Sequence, residues 1–374
     1  MAGIDPVAIY VRQPVPPYQR IAGPIPHEAS ERSYIMSERE DARVAVAVGD
    51  IDIEWTRPGM CWSIESPNEA IWAGFVRPQE IDLDASAITL DLVAPLEGLL
   101  NVEMAIRDPV RQSVAAAVRV ALIEAQAASA VGMFAGDIQS EAKVIDTEIR
   151  GETVAEFIES VRSDTGLDWR TRAEPIQGNG IEFLLDFGNL QKRTDIVIER
   201  NDLVAGKIIR GPAVSSITVM GSAITFEERP AATAAASTRR LSGQSGREIT
   251  TEGAVREFVE GRDIGPASAR HQTVIVERVR ASIGQVADSR IIDTLRSTDE
   301  LFVTLDMSNT ALRSLRIGDV CRINVPLWVT GLSVVGDAQV REIVPSEETG
   351  ERDLVLWPLA FKLADTAAAI EAAN

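Results

Sequence analysis

The sequence predicts an α+β chain rich in β structure, with two small antiparallel β-barrel or sandwich domains and an α/β insertion between them. Short apolar runs with period-two alternation, separated by turn residues, recur between residues 42 and 93 and between residues 274 and 358. Between them, helical spacing replaces the alternation. The chain has 374 residues, enough for two or three domains with sizeable cores.

Charge and composition exclude several classes of function. The formal net charge is −19, whereas a protein that grips nucleic acid needs clustered Lys and Arg. An acidic surface would instead let DNA pass without sticking, although acidity also simply keeps a protein soluble. Two cysteines exclude a disulfide framework and fit a reduced, intracellular site of assembly. The N-terminus lacks the pattern of a signal peptide, and no apolar run reaches membrane-spanning length, so we expect no membrane anchor.

The N-terminal half is predicted to hold an arm and a β domain. Residues 1–40 contain six of the prolines and no sustained period, which is typical of an extended arm that lies on its own fold or on a neighbouring subunit. Residues 41–110 form the first β domain, completed by strands near residues 206–228. Its own strands are expected at residues 44–48, 51–55, 60–64, 70–76 and 86–93.

The insertion is predicted over residues 111–205. A helix at residues 111–130 has an apolar face and ends at Gly132, and a second helix follows Thr153 and ends at Gly166. Strands at residues 181–187 and 196–199 follow a glycine-rich turn. The apolar faces of the two helices comprise Val114, Val118, Ala121, Leu122 and Ala125 in the first, and Val154, Phe157, Ile158 and Val161 in the second.

The C-terminal third begins with a predicted linker and peripheral segment, residues 229–272. Ala, Thr, Ser and Gly dominate residues 231–245, and a short helix is expected at residues 252–260. Residues 273–360 form the second β domain, with a helix at residues 286–297, and residues 361–374 form a C-terminal tail. This region repeats the architecture of the first β domain without a repeat of its residues.

Several acidic residues invite a metal site. Asp50, Asp52 and Glu54 alternate along one predicted strand, so their carboxylates would share a face and could bind Ca²⁺ or Mg²⁺. A strand, however, spaces alternate residues about 7 Å apart, and we favour a solvated or subunit-facing strand. The same argument applies to Asp82, Asp84 and Asp91. For glycoside hydrolysis, paired carboxylates need an aromatic cleft, and aromatic residues make up only 5% of the chain.

No nucleophile or cofactor motif stands out. A catalytic triad would need His27 or His271, and neither position promises a rigid pocket. Cys61 and Cys321 lie within predicted strands, which favours buried thiols over zinc ligands or reactive groups. P-loop and dinucleotide fingerprints are absent. We therefore expect no catalytic, cofactor-binding or metal residues and no cofactor. The tryptophans are expected as core or interface anchors rather than a carbohydrate platform: Trp55, Trp62, Trp72, Trp169, Trp328 and Trp357.

Seven segments in chain order carry a resemblance to a known family. They are EAIWAGFV (69–76), AITLDL (87–92), residues 98–100, GETVAEFIESVRSDTGLDW (151–169), IEFLLDFGNLQKRTDIVIE (181–199), LRIGDVCRINVP (315–326) and VLWPL (355–359). Together with the order of the modules, they resemble the phage tail hub proteins of long-tailed and contractile phages and of related injection machines. In that family a turn with Gly-Asp commonly begins a strand of the second barrel, and Gly318 and Asp319 match it. The resemblance covers most of residues 44–359.

The resemblance implies a structural role without catalysis. Tail hub proteins form a trimer in which two similar barrels per chain make a pseudo-six-fold ring that matches the hexameric tail tube. By resemblance, this chain would join the tube to the tip and surround the path of DNA or of a tape-measure protein. Its partners would be further copies of itself, the tail tube or distal tail ring protein, tip, fibre or spike proteins, and the tape-measure protein, with DNA passing transiently. It would be assembled in the host cytoplasm and reside in the virion at the distal end of the tail.

Two alternatives stay open at this point. One is a tail-associated hydrolase that acts on cell wall or surface polysaccharide. The other is a hexameric distal tail ring protein that carries receptor-binding proteins, which differs from a hub in symmetry and position. Some tail-tip proteins of this family carry long C-terminal extensions with a fibre or a wall-cleaving enzyme, whereas only 15 residues follow Leu359 here.

Overall fold

A computed structural model gives the structure of the chain. Two predicted helices, at residues 252–260 and 286–297, fall outside the residues it describes, as does Trp328. The described residues are 7–38, 40–67, 69–79, 86–96, 100–129, 132–139, 143–149, 151–210, 216–223, 235–240, 247–249, 271–279, 299–309, 311–327, 332–346, 351–359 and 362–365.

The first β module is one antiparallel sheet with two buried faces. Its seven strands lie in the order β2-β1-β6-β7-β8-β5-β3. Trp62 and Trp72 point into the module's own core, while Cys61, Ala73 and Phe75 pack against the insertion, because successive strand residues face opposite sides. The strands are β1 Ala8–Arg12, β2 Arg20–Ile25, β3 Ala29–Arg32, β5 Asp41–Ala47, β6 Cys61–Glu65, β7 Trp72–Val76 and β8 Ala87–Val93, and the short β4, Tyr34–Ile35, leaves this sheet.

The insertion packs two helices on small sheets, as the sequence predicted. Gly166 ends helix α2 in the left-handed conformation, and Thr153 and Glu156 form a capping box at its start. All nine predicted apolar-face residues of the helices are buried. The elements are β9 Arg107–Ser113, α1 Val114–Ser129, β10 Met133–Ile138, β11 Val144–Ile149, α2 Val154–Thr165, β12 Asp168–Ile176 and β13 Gly180–Gly188.

The second β module is a sheet in the order β14-β21-β22-β23-β20-β15, with β4 and β24 also paired to β22. A separate four-stranded sheet, β18-β17-β16-β19, is built from the chain between β15 and β20. The strands are β14 Lys192–Glu199, β15 Leu203–Arg210, β16 Ser216–Ala223, β17 Ala235–Arg240, β18 Arg247–Ile249, β19 His271–Val279, β20 Asp299–Asp306, β21 Asp319–Leu327, β22 Leu332–Pro345, β23 Glu351–Pro358 and β24 Lys362–Asp365.

The two β modules share one topology. When β1 is left out, the first sheet has six strands, which can be numbered 1 to 6 in chain order. Across the sheet these strands lie in the order 1-4-5-6-3-2. The six main strands of the second sheet, numbered in the same way, lie in the same order. Strand directions also agree. β14 is parallel to β21, and β2 is parallel to β6 because both are antiparallel to the intervening β1. The predicted repeat of architecture without a repeat of residues therefore extends to strand order and direction.

Both sheets curl toward closure. The edge strands β2 and β3 are joined by residues 26–28, and the edge strands β14 and β15 by residues 200–202. Three linking residues reach at most about 14 Å, whereas the edges of a flat six-stranded sheet lie about 24 Å apart. Each sheet must therefore bend round on itself, and no strand pairing among the described residues completes a barrel. The predicted β-rich α+β fold class is confirmed.

Several predicted elements were wrong in detail. The N-terminal arm contributes β1, β2 and β3 to the first sheet, because its clustered prolines fall in the loop between β1 and β2. The strands near residues 206–228 do not complete that sheet, since β15 pairs with β20 and β16 pairs with β17 and β19. Two 3₁₀ helices, Val48–Asp50 and Ile53–Thr56, replace the strand predicted at residues 51–55.

Two further segments differ from the predicted pattern. The first helix begins at Val114 rather than residue 111, because Arg111 and Ser113 are paired with β11 and the Ser113 hydroxyl accepts the first-turn N–H of Ala116. Within the segment predicted as a linker, β17 and β18 form strands. The strand predicted at residues 196–199 of the insertion lies in β14, which pairs with β21 and so belongs to the second module. The predicted domain boundaries otherwise stay predictions.

Candidate functional site: the joint between the two β modules

A short segment connects the first module to the second. This strap, residues 33–38 and 40, follows directly on edge strand β3. Within it β4 pairs with β22, so that Tyr34 lies opposite Ile343 and Ile35 opposite Glu342. Met36 donates its N–H to Arg341 O at 3.0 Å, and its fully buried side chain belongs to the core of the second module. The strap thus contributes a strand and a core residue to a module that is distant in sequence.

The same strap also holds the insertion. Ser37 donates its N–H to Trp169 O at 2.8 Å, its hydroxyl donates to Asp168 Oδ1 at 3.2 Å, and this hydroxyl accepts the Trp169 N–H at 3.0 Å. Asp168 and Trp169 are the first two residues of β12 in the insertion. The strap therefore contacts the first module, the second module and the insertion, which fixes the three parts relative to one another.

A buried ionic bridge crosses between the two β modules beside the strap. Glu69 accepts from Arg32 at 2.5 Å and from Arg352 at 3.0 Å, and both arginine side chains are nearly fully buried. Although burial opposes ionisation of Glu69, the two guanidinium groups hold its pKa below the usual value. Nearby, Tyr34 donates its hydroxyl to Ala70 O at 2.7 Å, and burial raises its pKa to about 12.

Glu40 is a buried carboxyl at the point where the strap meets the insertion. Its Oε1 accepts the Ile35 N–H at 3.1 Å, and its Oε2 accepts from the Thr171 hydroxyl at 3.4 Å. Burial raises the pKa of Glu40 to about 8, against the smaller opposing effects of these hydrogen bonds and of Arg170. The group is therefore largely a neutral acid near pH 7.

A second buried carboxylate binds the arginine that links the insertion to the second module. Asp186 accepts from Arg170 Nε at 2.9 Å and from Arg172 Nε at 3.0 Å. Arg170 also donates to the backbone oxygen of Ile317 in the second module. A Cβ at Gly136 would lie 2.2 Å from Asp186 Oδ1, so a larger residue there would displace this carboxylate.

These groups surround a cavity of 480 Å³ that all three parts line. Its wall is mainly apolar, with Ile71, Ile317 and Ile343 among the lining residues. Three arginines that line it, Arg170, Arg172 and Arg352, bind the carboxylates of Asp186 and Glu69. Such an arrangement fixes geometry between modules. Among the residues that the structure describes, no three His, Cys, Asp or Glu side chains come together as metal ligands.

The acidic residues singled out in the sequence do not form a site where the structure describes them. Asp50, Asp52 and Glu54 lie on the 3₁₀ connection between β5 and β6, where Asp52 caps the second 3₁₀ helix and Glu54 pairs with Arg57. The predicted shared strand face was therefore wrong. Asp91 forms an exposed ion pair with Arg43 at 3.0 Å, and Asp82 and Asp84 lie outside the described residues.

The predicted burial of Cys61 and Cys321 is confirmed. Both thiols are buried, and burial raises each pKa to about 12. His27 Nδ1 lies 3.4 Å from Ile25 O on a half-buried turn, and His271 begins β19.

The tryptophans largely fill the predicted anchor role. Trp62, Trp72, Trp169 and Trp357 are buried, and Trp55 packs against the first core. Neither helix among the described residues has the length and apolarity needed to cross a bilayer.

Sequence reasoning missed the residues of the joint. Glu69 and Arg352 are separated by 283 positions, and each reads as an ordinary charge beside an apolar run. The strap was contained in the segment predicted as an arm. Its one available signal was the Tyr-Ile-Met sequence at residues 34–36, which is unusually apolar for a solvated connection.

Comparison with known proteins finds solved structures that share this fold. No protein-family model and no curated protein matches the sequence. A tail protein from Neisseria meningitidis MC58 is 12% identical with a TM-score of 0.56, over 94% of this chain and 96% of that one. The 43 kDa tail protein of prophage MuSo2 from Shewanella oneidensis is 13% identical with a TM-score of 0.56, over 94% and 98%.

A prophage tail protein from Listeria monocytogenes EGD-e is 12% identical with a TM-score of 0.54, over 98% of this chain and 97% of that one. The chain therefore has the fold of these solved tail proteins, two of them from prophages, over nearly its whole length. The resemblance predicted from the sequence is confirmed at the level of the fold.

Proposed function

We propose that this chain is a structural hub protein of a phage tail, located at the distal end of the virion tail. The repeat of one strand order and one set of strand directions in the two β modules carries the proposal. Because each chain presents two modules of the same topology, three chains would present six, and a homotrimer would show approximate six-fold symmetry to a hexameric tail tube.

The joint supports this role. A ring of six modules closes only if the angle within each chain is fixed, and the strap and the Glu69 bridge hold the two modules at one angle. A buried ionic bridge serves such a purpose because its hydrogen-bond geometry defines one arrangement, even where its net contribution to stability is small.

The partners follow from the position in the tail. One face of the ring would bind the tail tube or distal ring protein, and the other would bind the tip, fibre or spike proteins. The channel would enclose the tape-measure protein and later the DNA, which the net charge of −19 would repel rather than bind. The chain acts in this proposal by assembly in the host cytoplasm and not by catalysis.

The molar mass of the purified protein tests the proposal. Light scattering after size exclusion, over a range of concentrations, should give three times the 40.5 kDa of the chain, and class averages of imaged particles should show six lobes. A hexamer would replace the hub with a distal tail ring. A monomer at every concentration would overturn the self-assembled trimer, and clearing of purified cell wall by the protein would overturn the non-catalytic role.

A further inference from the structure

The cavity at the joint has the size and lining of a small-molecule site. Its volume is 480 Å³ and its wall is mainly apolar. Ligand pockets typically enclose roughly 300–1,000 Å³, have apolar walls with a few polar groups, and lie preferentially between domains. The residues of this cavity come from both β modules and the insertion. Such a wall favours a ligand with a hydrocarbon body over a bare inorganic ion.

The charge at the cavity is opposite in sign to the charge of the whole chain. Five of the lining residues are cationic and four carry carboxyl groups. One of these carboxyl groups is Glu40, which is largely neutral near pH 7, so at most three ionised carboxylates face five cations. A chain with a net charge of −19 therefore has a local excess of positive charge here. The cationic residues are Arg170, Arg172, Lys192, Arg316 and Arg352.

Arg352 is nearly fully buried and has a hydrogen-bond donor to spare. Its Nη2 donates to Glu69 Oε1 at 3.0 Å. Its Nη1 makes longer contacts of 3.4 Å with the backbone oxygens of Leu312, Arg313 and Leu315. Its buried Nε finds no acceptor among the residues that the structure describes. A buried donor without an acceptor is costly, and a ligand that supplies one relieves this cost.

Arg316 adds a second guanidinium group, whose positive charge is disfavoured where it lies. Its Nη1 donates to Arg313 O at 2.8 Å and to Leu315 O at 3.0 Å, which are neutral acceptors. Burial, and next the positive charge of Arg352, lower the pKa of Arg316 from its usual value. The nearby carboxylates oppose this shift without reversing it. An anion beside Arg316 and Arg352 would offset both the burial and the repulsion.

We propose that the cavity at the joint binds a small organic anion, a carboxylate with a hydrocarbon body. The carboxylate would bind Arg316 and Arg352, because the planar donors of a guanidinium group match the two oxygens of a carboxylate. The hydrocarbon body would pack against Ile71, Ile317 and Ile343. The ligand would then contact parts of the chain that are distant in sequence, so binding would stabilise their arrangement. All of these residues belong to one chain, and the site does not depend on the proposed trimer.

Octanoate, octanol and acetate test the two halves of this ligand on the unmodified protein. Octanoate has both the carboxylate and the chain, whereas octanol lacks the charge and acetate lacks the chain. Isothermal titration calorimetry at about pH 7 should show one octanoate per chain, bound at least about tenfold more tightly than octanol or acetate. The midpoint of thermal unfolding should rise with the concentration of octanoate. Failure of octanoate to bind, or equally tight binding of octanol or acetate, would overturn the proposal.

Three arginine variants test the position of the site. Arg316→Gln removes one positive charge from the cavity, Arg316→Lys keeps it, and Arg57→Gln removes an exposed charge that lies outside the cavity lining. Octanoate binding should weaken at least about tenfold in Arg316→Gln, less in Arg316→Lys, and not at all in Arg57→Gln. Thermal unfolding without octanoate shows whether each variant is folded, and the comparison of the three probes needs no variant.

The outcomes separate this site from the proposed trimer. Octanoate binding that is equal in Arg316→Gln and Arg57→Gln would overturn the site and leave the trimer intact. A chain that binds octanoate as described but stays monomeric would support the site and overturn the trimer.

Discussion

Arg352 in β23 donates through Nη2 to Glu69 Oε1 at 3.0 Å across the boundary between the two β modules. Arg32, at the end of β3, binds the other oxygen of the same carboxylate at 2.5 Å. One carboxylate therefore binds two guanidinium groups whose side chains are only 2% and 3% exposed. Removing this single charge should affect both modules at once.

We expect Glu69→Gln to lower the free energy of unfolding by roughly 3–5 kcal/mol, because it removes the carboxylate that two buried guanidinium groups bind. Urea denaturation followed by tryptophan fluorescence measures the loss. The matched control is Glu54→Gln, which breaks an exposed pair with Arg57 and should change stability by less than about 1 kcal/mol. Equal effects of the two variants would show that the bridge does not hold the modules.

Glu40 should make the free energy of unfolding depend on pH between about pH 4.5 and 8. Its folded pKa of about 8 lies above the ordinary value of 4.5, so the folded state prefers the protonated acid. The stability from this group is then fully present below about pH 4.5 and falls as the pH rises toward 8, by about 1.4 kcal/mol per pH unit.

Glu40→Gln keeps the shape of the side chain and cannot ionise. Unfolding free energies measured at several values between about pH 5 and 8 should decline for the unmodified protein, relative to the variant, with this slope. A pH dependence that is identical in the two proteins would show that Glu40 is already ionised in the fold.

The parts of the fold that the sequence predicts correctly are local. Val154, Phe157, Ile158 and Val161 repeat at helical spacing between a capping threonine and Gly166, so the whole of α2 is determined by residues 153–166. Buried Cys61 and Cys321 were likewise predicted from their apolar strand neighbours. Each of these inferences needs only the residues beside the one in question.

The joint could not be predicted because its partners are distant and its segments short. β4 has two residues, too few for a strand pattern, and it pairs with β22 near the other end of the chain. The strand predicted from the alternation of Asp50, Asp52 and Glu54 was wrong for the opposite reason. A clear period was present, but the helical turns capped by Asp52 are locally preferred over an extended strand.

Met36 should stabilise the second module although it belongs to the strap of the first. Its side chain is fully buried in the second core, so Met36→Ala should cost about 2–5 kcal/mol through the cavity it leaves. Met36→Leu conserves the volume and should cost less than about 1.5 kcal/mol. Denaturation curves of the two variants decide this, and an Ala variant as stable as the Leu variant would contradict the anchoring role.

Both native thiols should be unreactive in the folded protein. Cys61 and Cys321 are buried and have pKa values raised to about 12 by burial, so almost no thiolate is present at about pH 8. A thiol reagent should therefore titrate no groups in native buffer and two in denaturant. Rapid reaction of either group without denaturant would show that its module opens.

Gly318→Ala should be the most damaging small substitution at the start of β21. Gly318 has a φ of +89°, which favours glycine, and an added Cβ would lie 2.3 Å from the backbone oxygen of Leu190. Its own N–H donates to Val340 O at 2.9 Å, and its carbonyl accepts the Lys192 N–H at 3.1 Å, so the backbone cannot move away without breaking bonds on two sides.

We therefore expect Gly318→Ala to lower the free energy of unfolding by more than about 2 kcal/mol, the combined result of a left-handed conformation and a backbone clash. The control is Gly49→Ala, since Gly49 has no positive φ and no atom within 4 Å of the added Cβ. Chemical denaturation of both variants measures the difference. If Gly318→Ala were as stable as Gly49→Ala, the Gly-Asp turn would not require glycine, and the match of Gly318 and Asp319 to the tail hub pattern would lose its physical basis.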